Sequence, residues 1–508
     1  MATDVIEMRT DNEPTQNDTE AVKQTRTRRL FSEEQLFALN LVMYGSWYFV
    51  GTNTYVVMLN GGPQTWLFSF IIVAIGVGCQ AASFAEMASV YPIAGAQYFW
   101  TNNYAPTSVK VFLTWLQGWT TWLGYVSMLA SNINGGIITL QGIINIAHPD
   151  WTPKGWQTTL MIIAYLVLCT SVNLWFFGAV PWFEVIAGIL NVFLFFIVGI
   201  VCLVMAPRNS MDIFLTKSNA GGWNEFVSFN IGSAANLFLF IAFESTVHLG
   251  EETWGPKRAV PSSMFWGYVA NAAMALIMII IFGVVFPGIE AILGSVSPLA
   301  TIISHATGSP SASVAILSCM LFCMFAASIG NLSSVSRLTW AWARDGGLPK
   351  YFAIVDGQTR VPMRAVCGTT FIVALLSLLY LNDQAFIALG AISSLSSISL
   401  YISYCIALIC ILYARCRSSG GFQLGEWNCG RFGLPINIVA LIYTAWEIPW
   451  LAVPNVLPVT VTNMNYAGPI YLAVLVGVVS YWFLWAKKNW TGPNMKIVGI
   501  VLNDHASK

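Results

Sequence analysis

The chain has 508 residues, of which 56% are hydrophobic and only 9% are Asp, Glu, Lys or Arg. A soluble globular protein carries about 25% charged residues, so this composition excludes a protein whose whole surface faces water. The formal net charge is zero, and we therefore expect no nucleic-acid partner.

Apolar runs long enough to cross a membrane occur along the whole chain. A transmembrane helix needs about 20 mostly apolar residues to span a hydrocarbon core about 30 Å thick. The runs that meet this length lie at 36–60, 64–88, 108–135, 157–177, 181–205, 228–250, 263–287, 312–335, 365–381, 385–412, 434–454 and 468–486. The sequence therefore predicts an all-α membrane protein with twelve transmembrane helices, surrounded by membrane lipid.

The basic residues indicate how these helices are oriented. Residues 1–30 are polar and predict a disordered tail, which is followed by a transmembrane domain over 31–490 and a second tail over 491–508. When the N-terminus is placed in the cytoplasm, almost all of the 23 Lys and Arg residues fall on the cytoplasmic side. The exceptions are Lys154, Arg208 and Lys217. The positive-inside rule therefore predicts that both termini are cytoplasmic.

The first predicted span contains residues that are costly inside a continuous membrane helix. Gly45 precedes Ser46 and Trp47, and Gly51 precedes the polar run 52–54. Interrupted helices occur in membranes where the backbone lines a cavity, and an opened helix exposes N–H groups that attract an acceptor. We therefore interpret Gly45, Ser46, Trp47 and Gly51 as candidate substrate-binding residues. The alternative is that the two glycines only permit close helix packing.

The sixth predicted span carries an acid inside an apolar run. Glu244 lies between Phe243 and Ser245, and an ionised carboxylate at this depth is costly unless it is paired or hydrated. We interpret Glu244 as a counter-ion for an amine or as a proton carrier. The alternative is a structural carboxylate that bonds to nearby hydroxyl or backbone groups. His248, close to the end of this span, is predicted to lie at the membrane–water interface.

Three other polar residues and one loop add further predictions. Glu184, near the start of the fifth span, is predicted to reach water, and Glu447 in the eleventh span to serve packing or oligomer contacts. Asn331, late in the eighth span, either joins helices or lines a cavity. The long apolar loop 288–311 is predicted to form a lid-like re-entrant segment rather than free coil.

Charged residues at one end of the spans predict a gate. Glu251 and Glu252 end the sixth span, and Arg337 and Arg344 border the eighth span on the same side. We predict ion pairs between these acids and bases when the opposite side of the protein is open.

Several loop motifs resemble those of one transporter family. Residues 83–92 read SFAEMASVYP and are followed by AGAQYFW at 94–100, which resembles the "AEL-S-YP-GG-Y-W" signature of the amino acid–polyamine–organocation permeases. Residues 248–261, with their pair of glutamates, and residues 336–349, with the run ARDGGLP, are similar to two further elements of these permeases. The stretch 437–466 resembles the fungal amino acid/choline/GABA permease branch.

This resemblance implies a fold and a site. It implies a five-plus-five inverted repeat, in which the first five spans mirror the next five, with two extra C-terminal helices. It also implies that the first and sixth helices are broken, so that residues 45–47 and 243–245 bind the substrate. The chain departs from the family at two positions: Ala96 replaces the second Gly of the "GG" pair, and Glu244 stands where Asp is common, since relatives often have Gly-Phe-Asp in this sixth-span element. The fifth span lacks the Lys that some proton-coupled relatives use, which leaves the coupling ion open.

The function implied by the resemblance is secondary active transport of small amine-bearing solutes of the amino acid, GABA or choline class. We expect coupling to protons, alternating access, and a location in the plasma membrane rather than the vacuole. No cofactor and no metal are expected, because the cysteines lack zinc-type spacing with histidines. The oligomeric state is left open.

Other functions were weighed against this one. An exporter of a specialised metabolite with the same fold and a nutrient-sensing receptor are the alternatives. A membrane-embedded enzyme would need clustered His, Asp or Cys residues at one boundary, and the sequence has no such cluster. A major-facilitator transporter would need a basic loop motif that the sequence also lacks.

Overall fold

The structure is a computed structural model that describes residues 27–381, 385–417, 422–461 and 463–494, with no side chains described for 385–390. Most of both predicted tails, residues 1–26 and 495–508, lies outside the described residues. The α-helices are, in chain order, α1 (Glu33–Tyr44), α2 (Ser46–Thr52), α3 (Thr54–Leu59), α4 (Gly62–Val90), α5 (Ala96–Tyr104), α6 (Lys110–Ala147), α7 (Gly155–Trp175), α8 (Val180–Met205), α9 (Glu225–Leu237), α10 (Pro256–Val284), α11 (Ile289–Leu293), α12 (Pro298–Thr307), α13 (Pro310–Arg344), α14 (Met363–Ser377), α15 (Ala385–Arg417), α16 (Gly433–Trp450) and α17 (Ala467–Tyr481).

Ten helical segments of the described part are long and apolar enough to cross a membrane. They correspond to the second predicted span and to the fourth through twelfth. The first predicted span is divided among α1, α2 and α3, and the third is α6, a single helix of 38 residues. The prediction of an all-α membrane fold is confirmed, whereas the count of twelve spans and the inverted repeat stay predictions.

The helix α6 is unusually polar for a helix in the middle of an apolar bundle. Its Gln117 side chain donates to the Ser403 hydroxyl of α15 at 2.6 Å, and the Thr121 hydroxyl lies 2.9 Å from the same oxygen. Buried polar groups are stable when they are hydrogen-bonded. These bonds therefore fix α6 against α15 and hold its other polar residues in register with the neighbouring helices.

The first predicted span is interrupted at Gly45. The helix α1 begins with a capping box formed by Ser32 and Gln35 and ends at Gly45, whose φ of +48° lies in the left-handed region. A Cβ at this position would lie 1.9 Å from the Tyr48 hydroxyl, so the position requires glycine. The predicted opening of the helix at Gly45 is confirmed.

Gly51 has a different role. It lies inside α2, and a Cβ added to it would lie 2.5 Å from Leu299 Cδ1 of α12. The helix is interrupted not at Gly51 itself but two residues later, at the turn residue Asn53 between α2 and α3, and the close-packing alternative describes the glycine. The loop 288–311 contains α11 and α12 rather than free coil, as predicted, and α12 packs against α2; its lid-like, re-entrant role stays a prediction.

The sixth predicted span is interrupted between Phe240 and Ser245. The helix α9 continues into a short 3-10 turn that ends at Phe240, after which Ile241 is extended and Ala242 has a φ of +60°. A 3-10 helix, Ser245–Glu252, then completes the segment. The predicted break in this span is confirmed.

The residues that precede α1 are joined to the end of this 3-10 helix. The N–H groups of Leu30 and Phe31 donate to the Glu252 carbonyl at 2.8 and 3.1 Å, and the Trp254 N–H donates to the Phe31 carbonyl at 2.9 Å. Within the described ranges, Phe31 and Thr253 form an isolated parallel β-bridge at this place. The start of α1 and the end of the sixth segment are therefore connected through their backbones.

Candidate functional site

A small buried cavity lies between the two interruptions. Its volume is about 30 Å³, which leaves room for about two or three waters, since a water needs about 10–15 Å³. It is lined by residues of α1, α2, α6, α13 and the interrupted sixth segment. These residues are Asn40, Met43, Tyr44, Phe49, Met128, Asn132, Phe238, Leu239, Ile241, Ala242, Ser245 and Asn331.

Two of the predicted site residues, Ser245 and Asn331, line this cavity. Trp47 does not line it, because its Nε1 donates to Asn191 Oδ1 of α8 at 2.8 Å. The ring of Phe243 packs among other aromatic rings behind the wall. The sequence therefore located the interruptions but not the direction in which most of their side chains point.

Gly45 and Ser46 support the first interruption without lining the cavity. The Ser46 hydroxyl donates to the Leu239 carbonyl at 2.8 Å, which joins the two interrupted segments directly. The Ser46 N–H donates to Asn271 Oδ1 of α10 at 3.3 Å. The first N–H of α2 is thus paired within the protein.

Most of the cavity wall consists of residues that the sequence reasoning missed. Asn40, Tyr44 and Phe49 lie within two helical turns of Gly45, so their closeness to a predicted break was the available signal. Met128 and Asn132 belong to α6, where polar residues occur at many turns. Nothing in the pattern of that helix distinguishes the turn that faces the cavity.

Glu244 lies behind the cavity wall. Its carboxylate is fully buried and accepts hydrogen bonds from Tyr125 at 2.9 Å, from Tyr404 at 2.7 Å and from the Gln97 side chain. These three donors are neutral and come from three different helices. Ala242 and Ser245, which precede and follow Glu244 in the chain, line the cavity. Glu244 is therefore separated from the cavity by one layer of residues.

Glu244 lies close behind the part of the wall formed by Ala242 and Ser245. When its carboxylate is ionised it gives the cavity a negative potential, and the low dielectric of the surrounding protein strengthens this effect.

Three polar atoms of the cavity wall have no hydrogen-bond partner among the described residues. They are Asn40 Oδ1, the Tyr44 hydroxyl and Asn331 Nδ2, and all three side chains are buried. Buried polar atoms are almost always bonded to protein or water. An acceptor, a hydroxyl and a donor left unsatisfied around one cavity therefore indicate a site for a polar ligand.

A larger cavity of about 570 Å³ lies on the α12 side of the protein. Thr52 and Asn134 line it, whereas Phe49 and residues one turn earlier on α6 line the small cavity. The Phe49 ring packs so closely against Gly135 that a Cβ there would lie 2.8 Å from Phe49 Cε1. Phe49 and Gly135 therefore pack closely against each other near the residues that line the two cavities.

The opposite end of the bundle is closed by two buried ion pairs. Arg337 lies 3.0 Å from Glu252, and Arg344 makes two hydrogen bonds to Glu251, at 3.0 and 3.1 Å. The side chains of all four residues are at most 6% exposed. The ion pairs predicted from the sequence are present, and their gating role stays a prediction.

Asp345 extends this ionic cluster just beyond α13. The Tyr98 hydroxyl of α5 donates to its carboxylate at 2.7 Å, and the Trp490 side chain donates to its carbonyl at 2.7 Å. Burial raises the pKa of Asp345 above its ordinary value, although the Arg344 guanidinium and the Tyr98 hydrogen bond oppose this effect. The cluster ties α5, α13 and the segment after α17 together at the closed end.

Three other predictions from the sequence can be compared with the structure. Glu184 is fully buried in α8, so the prediction that it reaches water is wrong; neither carboxylate oxygen has a hydrogen-bond partner among the described residues. His248 is also fully buried, with Nδ1 2.7 Å from the Ala94 carbonyl, and its predicted place at the membrane–water interface stays a prediction. Glu447 accepts from Ser233 at 3.2 Å, which fits the packing alternative.

The chain is similar to known membrane permeases over most of its length. A profile of the amino acid permease family matches residues 35–477. The choline transporter of Saccharomyces cerevisiae is 28% identical over 476 residues, which cover 91% of this chain and 82% of that protein. A putative amino acid/polyamine transporter of Macrophomina phaseolina is 27% identical over 424 residues, covering 80% and 91%. A swainsonine transporter of Arthroderma benhamiae is 24% identical over 444 residues, covering 85% of each chain.

The matched range includes every residue that lines the central cavity. It confirms the resemblance of the loop motifs to the amino acid–polyamine–organocation permeases, and it agrees with the apolar helices and the two interrupted segments. The relatives are named as transporters of small molecules, and this similarity argues against the alternative of a membrane-embedded enzyme. The chain therefore belongs to the amino acid permease family and is a multi-pass membrane transporter rather than an enzyme.

Proposed function

We propose that this permease is a secondary active transporter of small amine-bearing solutes, which binds its substrate in the central cavity and works by alternating access. The observation that carries this proposal is the meeting of two interrupted segments at one buried cavity whose wall has unsatisfied polar atoms. Interrupted helices near the middle of the bilayer are the usual substrate sites of such transporters. Choline and polyamines, which the names of two relatives mention, are amines.

The proposed orientation places the ion-paired end in the cytoplasm, because the Lys and Arg residues concentrate on that side. In this orientation the 570 Å³ cavity faces outward. The present conformation is then outward-facing. The two ion pairs, Glu252 with Arg337 and Glu251 with Arg344, form the closed inner gate. We place the protein in the plasma membrane.

Coupling to protons is supported by Glu184. An ionised carboxylate buried without a partner is costly, so Glu184 is expected to be protonated in this conformation and to release its proton when water reaches it. The titratable groups that interact with it electrostatically are Tyr48, Cys169 and Cys323. None of these groups is cationic, so no neighbour among them compensates a negative charge on Glu184.

Uptake by intact cells tests the proposed function. The protein is expressed at the surface of a host that lacks its own amine uptake, and labelled choline, ethanolamine, GABA, putrescine and amino acids are supplied outside. We expect saturable uptake of at least one amine, which collapses when a protonophore removes the proton gradient. Surface expression without uptake of any of these solutes would contradict the proposal.

Export of a specialised metabolite is the second candidate, because one similar protein is named a swainsonine transporter. The same site and the same fold would serve it. Cells preloaded with the solute distinguish the two directions: an exporter accelerates loss of label into solute-free medium, whereas the proposed importer accelerates accumulation.

A further inference from the structure

We infer that the central site selects a small organic cation that carries a hydroxyl and lacks a carboxylate. This inference rests on the proposed function and specifies its substrate class, which the family leaves broad. Three features of the site carry it: several N–H groups at both interruptions are already paired, the acid Glu244 lies behind a cavity wall that contains no Lys or Arg among its described residues, and this wall combines aromatic rings with unsatisfied neutral polar atoms.

Three N–H groups of the first interruption are already paired within the protein. Transporters that bind a substrate carboxylate present the bare N–H groups of a half-helix to it. Here the Ser46 N–H is taken by Asn271 Oδ1 at 3.3 Å. The N–H groups of Tyr48 and Phe49 both donate to the Gly45 carbonyl at 3.2 Å. The helix that follows, α2, has only seven residues, so its dipole adds little attraction for an anion.

Three N–H groups of the second interruption are likewise paired within the protein. The Ala242 N–H donates to the Tyr404 hydroxyl at 3.1 Å, and the Ser245 N–H donates to the Ala242 carbonyl at 3.0 Å. The Val247 N–H donates to the Glu244 carbonyl at 2.9 Å. A carboxylate at this place would have to displace bonds that the protein makes with itself.

The electrostatics of the cavity oppose an anion and favour a cation. No Lys or Arg is among the residues that line the cavity in the described structure. The guanidinium groups of Arg337 and Arg344 are already paired with acids at the closed end. The nearest titratable acid is Glu244, one residue layer behind the wall. A carboxylate brought into the cavity would therefore meet a like charge and no compensating base.

The wall itself supplies what a hydroxylated ammonium group requires. Tyr44, Phe49 and Phe238 present aromatic rings, which attract cations through their π faces. The side chains of Met43 and Met128 complete an apolar, polarizable surface suited to methyl groups. This part of the wall fits an ammonium head, whether primary or methylated.

The unsatisfied polar atoms fit the other end of such a solute. Asn331 Nδ2 donates, Asn40 Oδ1 accepts and the Tyr44 hydroxyl does both. A substrate hydroxyl, which both donates and accepts, can satisfy atoms from this set. A carboxylate only accepts, so it would leave Asn40 Oδ1 without a donor.

Matched pairs of solutes test the inference. Choline and glycine betaine share a trimethylammonium head and differ in hydroxyl against carboxylate, and ethanolamine and glycine form the same comparison with a primary amine. We expect each hydroxylated member to be taken up, and its carboxylate counterpart to compete at least about tenfold more weakly, because the carboxylate meets Glu244 without a compensating base and cannot donate to Asn40 Oδ1. Equal or stronger competition by the carboxylate members would overturn the inference and leave amine transport standing. Absence of uptake of every amine would instead overturn the proposed function, and the inference with it.

A variant of Asn271 adds a second measurement. Asn271→Ala frees the Ser46 N–H, and we expect the betaine-to-choline ratio of inhibition constants to fall severalfold. Asn271→Asp keeps an acceptor at that N–H and should keep the wild-type ratio, which makes it the matched control. The ratio is informative even when a variant reaches the surface in smaller amounts, because both solutes are measured on the same cells. An unchanged ratio in Asn271→Ala together with equal competition in the wild type would remove the N–H argument.

Discussion

The Tyr404 hydroxyl donates to the Glu244 carboxylate at 2.7 Å while it accepts the Ala242 N–H at 3.1 Å. One side chain of α15 thus supports both the acid and the left-handed residue that interrupts the sixth segment. A change in the charge or position of Glu244 is therefore transmitted to the backbone that lines the cavity.

Removal of this hydroxyl should impair transport. Tyr404→Phe leaves the Ala242 N–H and one carboxylate oxygen without their partner, and a hydrogen bond to a charged group contributes about 1.5–3 kcal/mol. We expect the initial uptake rate per surface molecule to fall about tenfold or more. Tyr401→Phe, a buried tyrosine one turn earlier on α15 whose ring lies 5.6 Å from that of Tyr404, is the control and should retain most of the activity. Equal losses in the two variants would argue for a general packing effect.

Glu244→Gln should weaken the binding of cationic solutes more than it lowers the stability of the fold. The amide keeps the size of the side chain but removes the negative charge behind the cavity wall, so we expect KM for the transported amine to rise about tenfold, or uptake to be lost. Glu447→Gln is the matched variant, since Glu447 is equally buried but bonds to Ser233 away from the cavity. Uptake by Glu244→Gln that equals the wild type would exclude the counter-ion role.

The Glu251–Arg344 pair should show coupling in a double-mutant cycle. Each single neutralisation, Glu251→Gln or Arg344→Gln, leaves a buried charge unpaired, which costs about 3–5 kcal/mol where the site stays closed. We expect each single variant to favour the conformation open to the cytoplasm, and the double variant to be less impaired than the sum of the two. Transport rates and labelling of a cysteine placed in the inner pathway measure this equilibrium. Additive effects would show that the pair does not act as a gate.

Glu184→Gln should separate proton coupling from substrate exchange. Glutamine cannot carry a proton, so we expect accumulation driven by a pH gradient to be lost, while exchange of labelled for unlabelled substrate across the membrane continues. Glu184→Asp retains a titratable group and should retain accumulation in part. Full accumulation by Glu184→Gln would assign the coupling to another group.

Gly51→Ala tests the contact between α2 and α12. The added Cβ would lie 2.5 Å from Leu299 Cδ1 and 3.3 Å from the Phe282 ring, and overpacking of this kind costs about 1–3 kcal/mol. We expect a lower melting temperature in detergent, and recovery when Leu299→Ala makes room. Gly178→Ala, at a glycine with open space around it, should leave the melting temperature unchanged.

The positions of the interruptions could be predicted because their cause is local. A glycine followed by polar residues at 45–47, and an acid within the apolar run around Glu244, are both costly in a continuous membrane helix. Gly51 has the same composition signal, yet its own backbone is helical, the turn follows two residues later at Asn53, and the glycine makes room for Leu299. A single sequence does not distinguish a glycine that opens a helix from one that permits contact.

The surroundings of Glu244 could not be predicted, because they are assembled from distant parts of the chain. Gln97, Tyr125 and Tyr404 belong to three helices, and each comes close to Glu244 only when the whole bundle has formed. The same holds for Glu184, whose place at the edge of a span suggested access to water. Packing of α8 against α1 and α13 encloses it instead.

The backbone pairing of Leu30 and Phe31 with Glu252 has a consequence for how the inner side opens. Glu252 is held at once by main-chain donors from the stretch before α1 and by the Arg337 side chain. Rupture of the arginine contact frees Glu252 from α13 but leaves it attached to the stretch before α1. We therefore expect α1 and the 3-10 helix Ser245–Glu252 to move together as one rigid unit when the inner side opens. A spectroscopic label on either element should then report the displacement of both.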